Sequence, residues 1–211
     1  DDDDGVSDGN DTLTLMVTGP IAAGASATLR ADGGAGNDTV TVGYTGELNG
    51  NLSFGALGGS GDDTVTAPVA LAAGSTGSQT GKVNGGNGTD TLTLMVTGPI
   101  AAGAGAALRA DGGAGNDKVT VSYSGELDGS LSLKARGNSG GDTVAATVTL
   151  AAGSTGSLTG RVNGGDGNDN LTFNITGAGA ATTAINAVLD GGEGTDKCVA
   201  TANVTVVNCE A

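Results

Sequence analysis

Eight aspartates recur along this chain at almost constant intervals. Asp11, Asp38, Asp63, Asp90, Asp117, Asp142, Asp169 and Asp196 are separated by 27, 25, 27, 27, 25, 27 and 27 residues. Each is the last residue of a seven-residue glycine-rich segment: DGGAGND at 32–38 and 111–117, NGGNGTD at 84–90, NGGDGND at 163–169, DGGEGTD at 190–196, and LGGSGDD at 57–63. RGNSGGD at 136–142 and GVSDGND at 5–11 are degenerate copies. A longer period sits on top: TLTLMVTGPIAAGA at 12–25 returns unchanged at 91–104, so residue n matches residue n + 79. Such a chain is a stack of supersecondary units, each unable to bury its apolar face alone.

The layout of one unit predicts the fold. After each closing aspartate comes an alternating segment such as TLTLMV, TVTVGY, KVTVSY or NLTFNI. Alternation gives a strand with one buried and one wet face, and points Leu13, Leu15, Val17, Val40, Val42, Val65, Leu92, Val119 and Leu171 inward. A Gly/Ala/Ser-rich turn follows, then a weaker strand such as ATLRAD or SLSLKA that leads into the next glycine segment. No 3.6-residue apolar period suggests a helix. The expected fold is all-β: a parallel β-solenoid of about eight coils of about 26 residues, two main strands per coil, in one domain over 1–211. Within it, 12–90 and 91–169 form the duplicated blocks, with an N-terminal cap at about 1–10 and a C-terminal cap at about 190–211. Aromatics are 2% of the 211 residues, which suits a thin core of Val, Leu, Ile and Ala rather than a thick one.

The net charge is −15, with 23 acids against 8 bases. Nucleic acid and anionic membranes require a positive footprint, so the expected partners are cations. No run approaches the ~20 apolar residues of a membrane helix, and no membrane insertion is expected. Cys198 and Cys209 are the two cysteines, and the chain has no His. The pair is a poor zinc site; a disulfide is expected over free buried thiols, which implies an oxidising compartment. The chain begins at Asp1 with no signal-peptide pattern, as expected of a mature secreted protein.

Gly-Gly-x-Gly reaches backbone angles closed to other residues and aims carbonyls inward; the closing Asp adds a carboxylate. Stacked turns then offer hard oxygens, which calcium prefers. GGAGNDTVTV and GGDGNDNLTF resemble the RTX, or haemolysin-type, calcium-binding repeat, G-G-x-G-x-D-x-U-x with U apolar. In that family calcium sits between successive turns of a parallel β-roll. The resemblance implies metal at the eight closing aspartates, with main-chain carbonyls of glycines such as Gly34, Gly36, Gly86, Gly88, Gly113, Gly115, Gly165 and Gly167. It covers eight turns, but in a longer variant: the usual repeat is nine residues with metal on both edges, whereas one motif per coil leaves metal on one edge only. Asp11 and Asp142 close the poor motifs. About seven Ca²⁺ in the gaps between turns would nearly balance the −15.

Two further ladders stand out. Arg30, Lys82, Arg109, Lys134 and Arg161 lie two residues before the start of their motifs, with Gly55 and Val188 as gaps; they read either as a groove for an acidic or cell-surface glycan or as a solvated face paired with acids such as Asp32 and Asp111. Thr12/Thr14, Thr39/Thr41, Thr64/Thr66 and Thr91/Thr93 form an outward threonine array of the kind some ice-binding solenoids use, or a row suited to exposed strands. No nucleophile or base cluster points to catalysis: Glu47 and Glu126 are equivalent positions three coils, about 14 Å, apart, too far for a paired-carboxylate mechanism. The expected function is a secreted, non-catalytic calcium-binding repeat protein with a structural or adhesive role, able to assemble end to end. The alternatives are an ice- or glycan-binding module and a calcium-dependent secretion module of a larger exoprotein.

Overall fold

The computed structural model describes residues 9–210; the DDDDG segment and most of the expected N-terminal cap lie outside them. The described chain is a parallel β-solenoid of two eight-stranded sheets. The first sheet takes the alternating segments in chain order: β1 (Thr12–Thr18), β3 (Thr39–Gly46), β5 (Thr64–Leu71), β7 (Thr91–Thr97), β9 (Lys118–Gly125), β11 (Thr143–Leu150), β13 (Asn170–Thr176) and β15 (Lys197–Ala200). The second takes the strands that run into the glycine segments: β2 (Ser26–Ala35), β4 (Asn51–Ser60), β6 (Ser78–Asn87), β8 (Gly105–Ala114), β10 (Ser130–Ser139), β12 (Ser157–Asp166), β14 (Ala184–Glu193) and β16 (Thr205–Val207). Every strand pairs with the one a full coil away, in the register the repeat demands: Val40 lies between Leu13 and Val65, and Lys134 between Arg109 and Arg161.

The alternation predicts the core correctly. Val40, Val42, Val65, Leu92, Val119 and Leu171 are fully buried, while Leu13, Leu15 and Val17, in the first described layer, are only partly covered. The two sheets face each other across small side chains, and the few large rings are matched to glycines. A side chain at Gly81 would strike the Phe54 ring one strand away, and one at Gly160 the Phe173 ring across the core. Close packing of this kind leaves no room for a larger core residue.

Two details differ from the expectation. The glycine pair is not in the turn: β2 runs on through Gly33 and Gly34 to Ala35, and the turn proper is only Gly36, Asn37 and Asp38. The ladder skips one residue there, since Asp32 pairs with Leu57 and Gly34 with Gly59 but Gly33 with nothing. The second detail is a 3-10 turn at Ala178–Ala181, leading into β14, the one helical element among the described residues.

Candidate metal centre

The three-residue turns stack along one edge of the solenoid and bring seven closing aspartates into a single buried column. Asp38, Asp63, Asp90, Asp117, Asp142, Asp169 and Asp196 are all 1–3% exposed. Each side chain reaches back one coil. Its Oδ1 accepts the backbone N–H of the preceding aspartate: Asp11 N–H to Asp38 (2.7 Å), Asp38 to Asp63 (2.7 Å), Asp63 to Asp90 (2.8 Å), Asp90 to Asp117 (2.8 Å), Asp117 to Asp142 (2.7 Å), Asp142 to Asp169 (2.7 Å) and Asp169 to Asp196 (2.9 Å). The following strand fixes each direction, because Thr39 N–H donates to Asp11 C=O and Thr64 N–H to Asp38 C=O.

The other oxygen of each carboxyl has no partner. Oδ2 of all seven is buried and accepts no hydrogen bond. Each lies against the first glycine of its own segment, and the carbonyl of the first glycine one coil on lies against that same glycine: a methyl at Gly33 would strike both Asp38 Oδ2 and Gly58 C=O, and the equivalent pair of oxygens flanks Gly58, Gly85, Gly112, Gly137 and Gly164. A side chain at any of these glycines would fill the space where the two oxygens converge. The second and third glycines do a different job. The carbonyls of Gly34, Gly86 and Gly165 lie where the next coil's second glycine would carry a Cβ, as those of Gly36, Gly88, Gly115 and Gly167 do for the third, and those positions take positive φ. They let coils stack without a gap, while the carbonyls that face the carboxylates belong to the first glycines.

Sequence reasoning marked Asp142 and Asp11 as members of poor motifs. Asp142 sits in the column like the others, because Asn138 adopts φ 86° where the regular copies use glycine, and asparagine tolerates that region better than most residues. Asp11 is half-buried at the start of the column, and its N–H is bonded to Asp38. Three further features emerge only from the fold. A second, outer ladder runs the opposite way: Asn10, Asn37, Asp62, Asn116 and Asn168 each accept, through Oδ1, the N–H of the residue one coil on, at 2.7–2.9 Å. Glu210 ends the column, its Oε2 accepting Asp196 N–H at 2.6 Å. Asn208 C=O takes the place of the next glycine carbonyl beside Gly191. The spacing gives no cue to this cap: Glu210 follows Asp196 by only 14 residues, about half a coil, on a segment without glycines.

The electrostatics follow from this packing. Burial raises the carboxyls of Asp63, Asp90, Asp117, Asp142 and Asp169 above the ordinary value of 3.8; the amide bond from the preceding coil opposes the rise without cancelling it. Asp90 and Asp142 reach about 6, with neighbouring carboxylates of the column adding to the effect. An unsatisfied buried polar atom costs about 1–3 kcal/mol, and more when charged, so seven would cost roughly 7–20 kcal/mol, as much as the whole stability of a typical domain. A proton or a metal ion at Oδ2 would remove that penalty. The donors are all hard oxygens, which fits calcium. Among the described residues no three carboxylate or thiolate groups converge on one point. An ion here would draw on one or two carboxylates, a glycine carbonyl and water at the rim.

Among the described residues the opposite edge carries no comparable column. Glu47 bonds the Asn49 amide at 2.9 Å, and Asp128 accepts Thr155 N–H and Oγ1–H. At the C-terminus Cys198 and Cys209 form the expected disulfide and tie the last layer together. No family model, curated protein or solved structure matches the chain. Among the described residues no helix is long and apolar enough to cross a membrane.

Proposed function

We propose that this chain is a secreted, non-catalytic calcium-binding rod in which metal ions, one for each buried carboxylate layer and about seven in all, hold successive coils together. The observation that carries the reading is the column of seven partnerless Oδ2 atoms, each opposite a main-chain carbonyl of the next coil. A buried carboxylate oxygen without a partner beside a main-chain carbonyl is a place of uncompensated negative charge; a divalent cation bound there would join the two coils. The GGxGxD resemblance and the net charge of −15 point the same way. The disulfide supports an oxidising, extracellular setting.

The role is structural. Near-identical layers provide no unique pocket for chemistry, and the closing aspartates already spend one oxygen each on stacking. Glu210, the disulfide and edge strands of only four and three residues blunt the C-terminal end against strand addition. That favours a single rod over a fibre growing from this end.

Circular dichroism at neutral pH tests the reading. Removing calcium with EGTA should abolish the strand signal, and restoring calcium but not magnesium should return it. A strand spectrum indifferent to EGTA would reject the proposal and leave protons or plain stacking as the explanation.

A further inference from the structure

A second pattern runs the length of the rod on the outer face of the second sheet. Six of the chain's eight basic residues lie there: Arg30, Lys82, Arg109, Lys134, Arg136 and Arg161. Four of them form an unbroken row across β6, β8, β10 and β12, since Lys82 pairs in register with Arg109, Arg109 with Lys134, and Lys134 with Arg161. The row borders a shallow trough floored by small and hydroxyl side chains, among them Thr80, Ala107 and Ser132.

The cations are not all consumed by internal pairs. Arg109 is paired with Asp111 and Arg161 with Asp190, yet the two arginine side chains remain 43% and 52% exposed. A guanidinium has five donors, and the acids beneath hold the two forks in place while leaving donors outward. Lys82 and Lys134, which alternate with them, are exposed and have no acidic partner among the described residues. In a chain of net charge −15 this is a concentration of positive charge on one face.

We infer that the trough binds a linear acidic polysaccharide lying along the rod axis, with the Lys82–Arg109–Lys134–Arg161 row pairing its carboxylate or sulfate groups and the adjacent hydroxyl rows bonding its sugar hydroxyls. The row recurs at the ~4.8 Å spacing of paired strands, so only an extended polymer with charges repeated along it can meet all four. Single-stranded nucleic acid is the poorer fit. Its binding sites rely on exposed aromatic side chains for stacking, and all four aromatic residues, Tyr44, Phe54, Tyr123 and Phe173, are buried. The inference depends on stacked coils and not on what occupies the aspartate column, so it stands or falls separately from calcium binding.

Calorimetric titration of the full chain with a heparin oligosaccharide, at constant calcium and low salt, tests it. Wild type is expected to bind, with affinity falling steeply as salt rises. The double variant Lys82→Gln/Lys134→Gln is expected to lose about tenfold or more and to show a salt slope reduced by about two. Lys118→Gln, on the other sheet, is expected to change nothing, and neutral dextran to give no heat. Strand circular dichroism verifies that the variants are folded; should the glutamine pair unfold, Lys82→Arg/Lys134→Arg must keep wild-type affinity. No heparin binding by the folded protein, undiminished binding by the folded glutamine pair, an equal loss in Lys118→Gln, or binding of oligothymidylate as tight as heparin would each overturn the inference.

Discussion

The two edges of the solenoid turn the chain by different chemistry. On the glycine-aspartate edge every connection is three residues long, Gly36–Asp38 and its six counterparts, and every layer inserts a buried carboxylate. On the opposite edge the connections differ from coil to coil and repeat only every third layer. Buried neutral groups organise that side, with the Asp128 carboxylate bonding Thr155 at its surface. Tyr44 O–H donates to Gly19 C=O and Glu47 C=O, and Tyr123 does the same to Gly98 and Glu126. Ser75 Oγ accepts Leu48 N–H and donates to Ala72 C=O, with Ser154 repeating this at Leu127 and Ala151. A coil of this protein can thus be turned and stacked without a buried carboxylate. Carboxylates on the first edge supply something more than a turn, and their partnerless oxygens indicate what it is: a place for positive charge.

The largest expected effect separates the edges by pH. In the metal-free chain the folded carboxyls of Asp63, Asp90, Asp117, Asp142 and Asp169 hold protons more tightly than the unfolded ones, whose value is 3.8. A folded state that binds more protons loses stability as pH rises. Metal-free stability should therefore be greatest near pH 4, fall through about pH 6, where Asp90 and Asp142 titrate, and be lost by neutral pH. Urea midpoints in EGTA, from pH 4 upward for as far as the metal-free chain stays folded, measure it; with calcium the fall should vanish.

Next in size, Gly112→Ala puts a methyl between Asp117 Oδ2 and Gly137 C=O. It should cost about 3 kcal/mol and weaken calcium binding as well. On the neutral edge, Ser154→Ala leaves Leu127 N–H without its acceptor. It should cost about 2 kcal/mol, equally at neutral pH with calcium and near pH 4 without it. A calcium-dependent cost there would erase the distinction between the edges. The smallest effect is a gain: Gly55→Ala, on the open outer face of β4 with no atom closer than 3.8 Å to the new methyl, should stabilise by about 0.5–1 kcal/mol, since glycine within a strand is entropically costly.

Much of this was legible in the sequence. The spacing of the closing aspartates gave the coil, and the alternation around Val40, Val65 and Val119 gave the inner face, because a period of two admits one assignment of faces. Three things were not legible. That Asp142 joins the column depended on Asn138 reaching a positive φ, which no glycine count reveals. That each carboxyl divides its oxygens, one on an amide and one on nothing, is a matter of angstroms that a residue pattern does not carry. That Asn208 and Glu210 imitate a further turn was hidden because neither lies in a glycine segment; the resemblance exists only in three dimensions.

The central claim is that positive charge on the glycine-aspartate edge comes from calcium. Calcium titration by calorimetry at neutral pH, counting ions per chain, measures this directly. The account predicts about seven, one for each carboxylate oxygen left without a partner, falling when Asp117→Asn removes a charge from the column. A folded chain that takes up no calcium would contradict it.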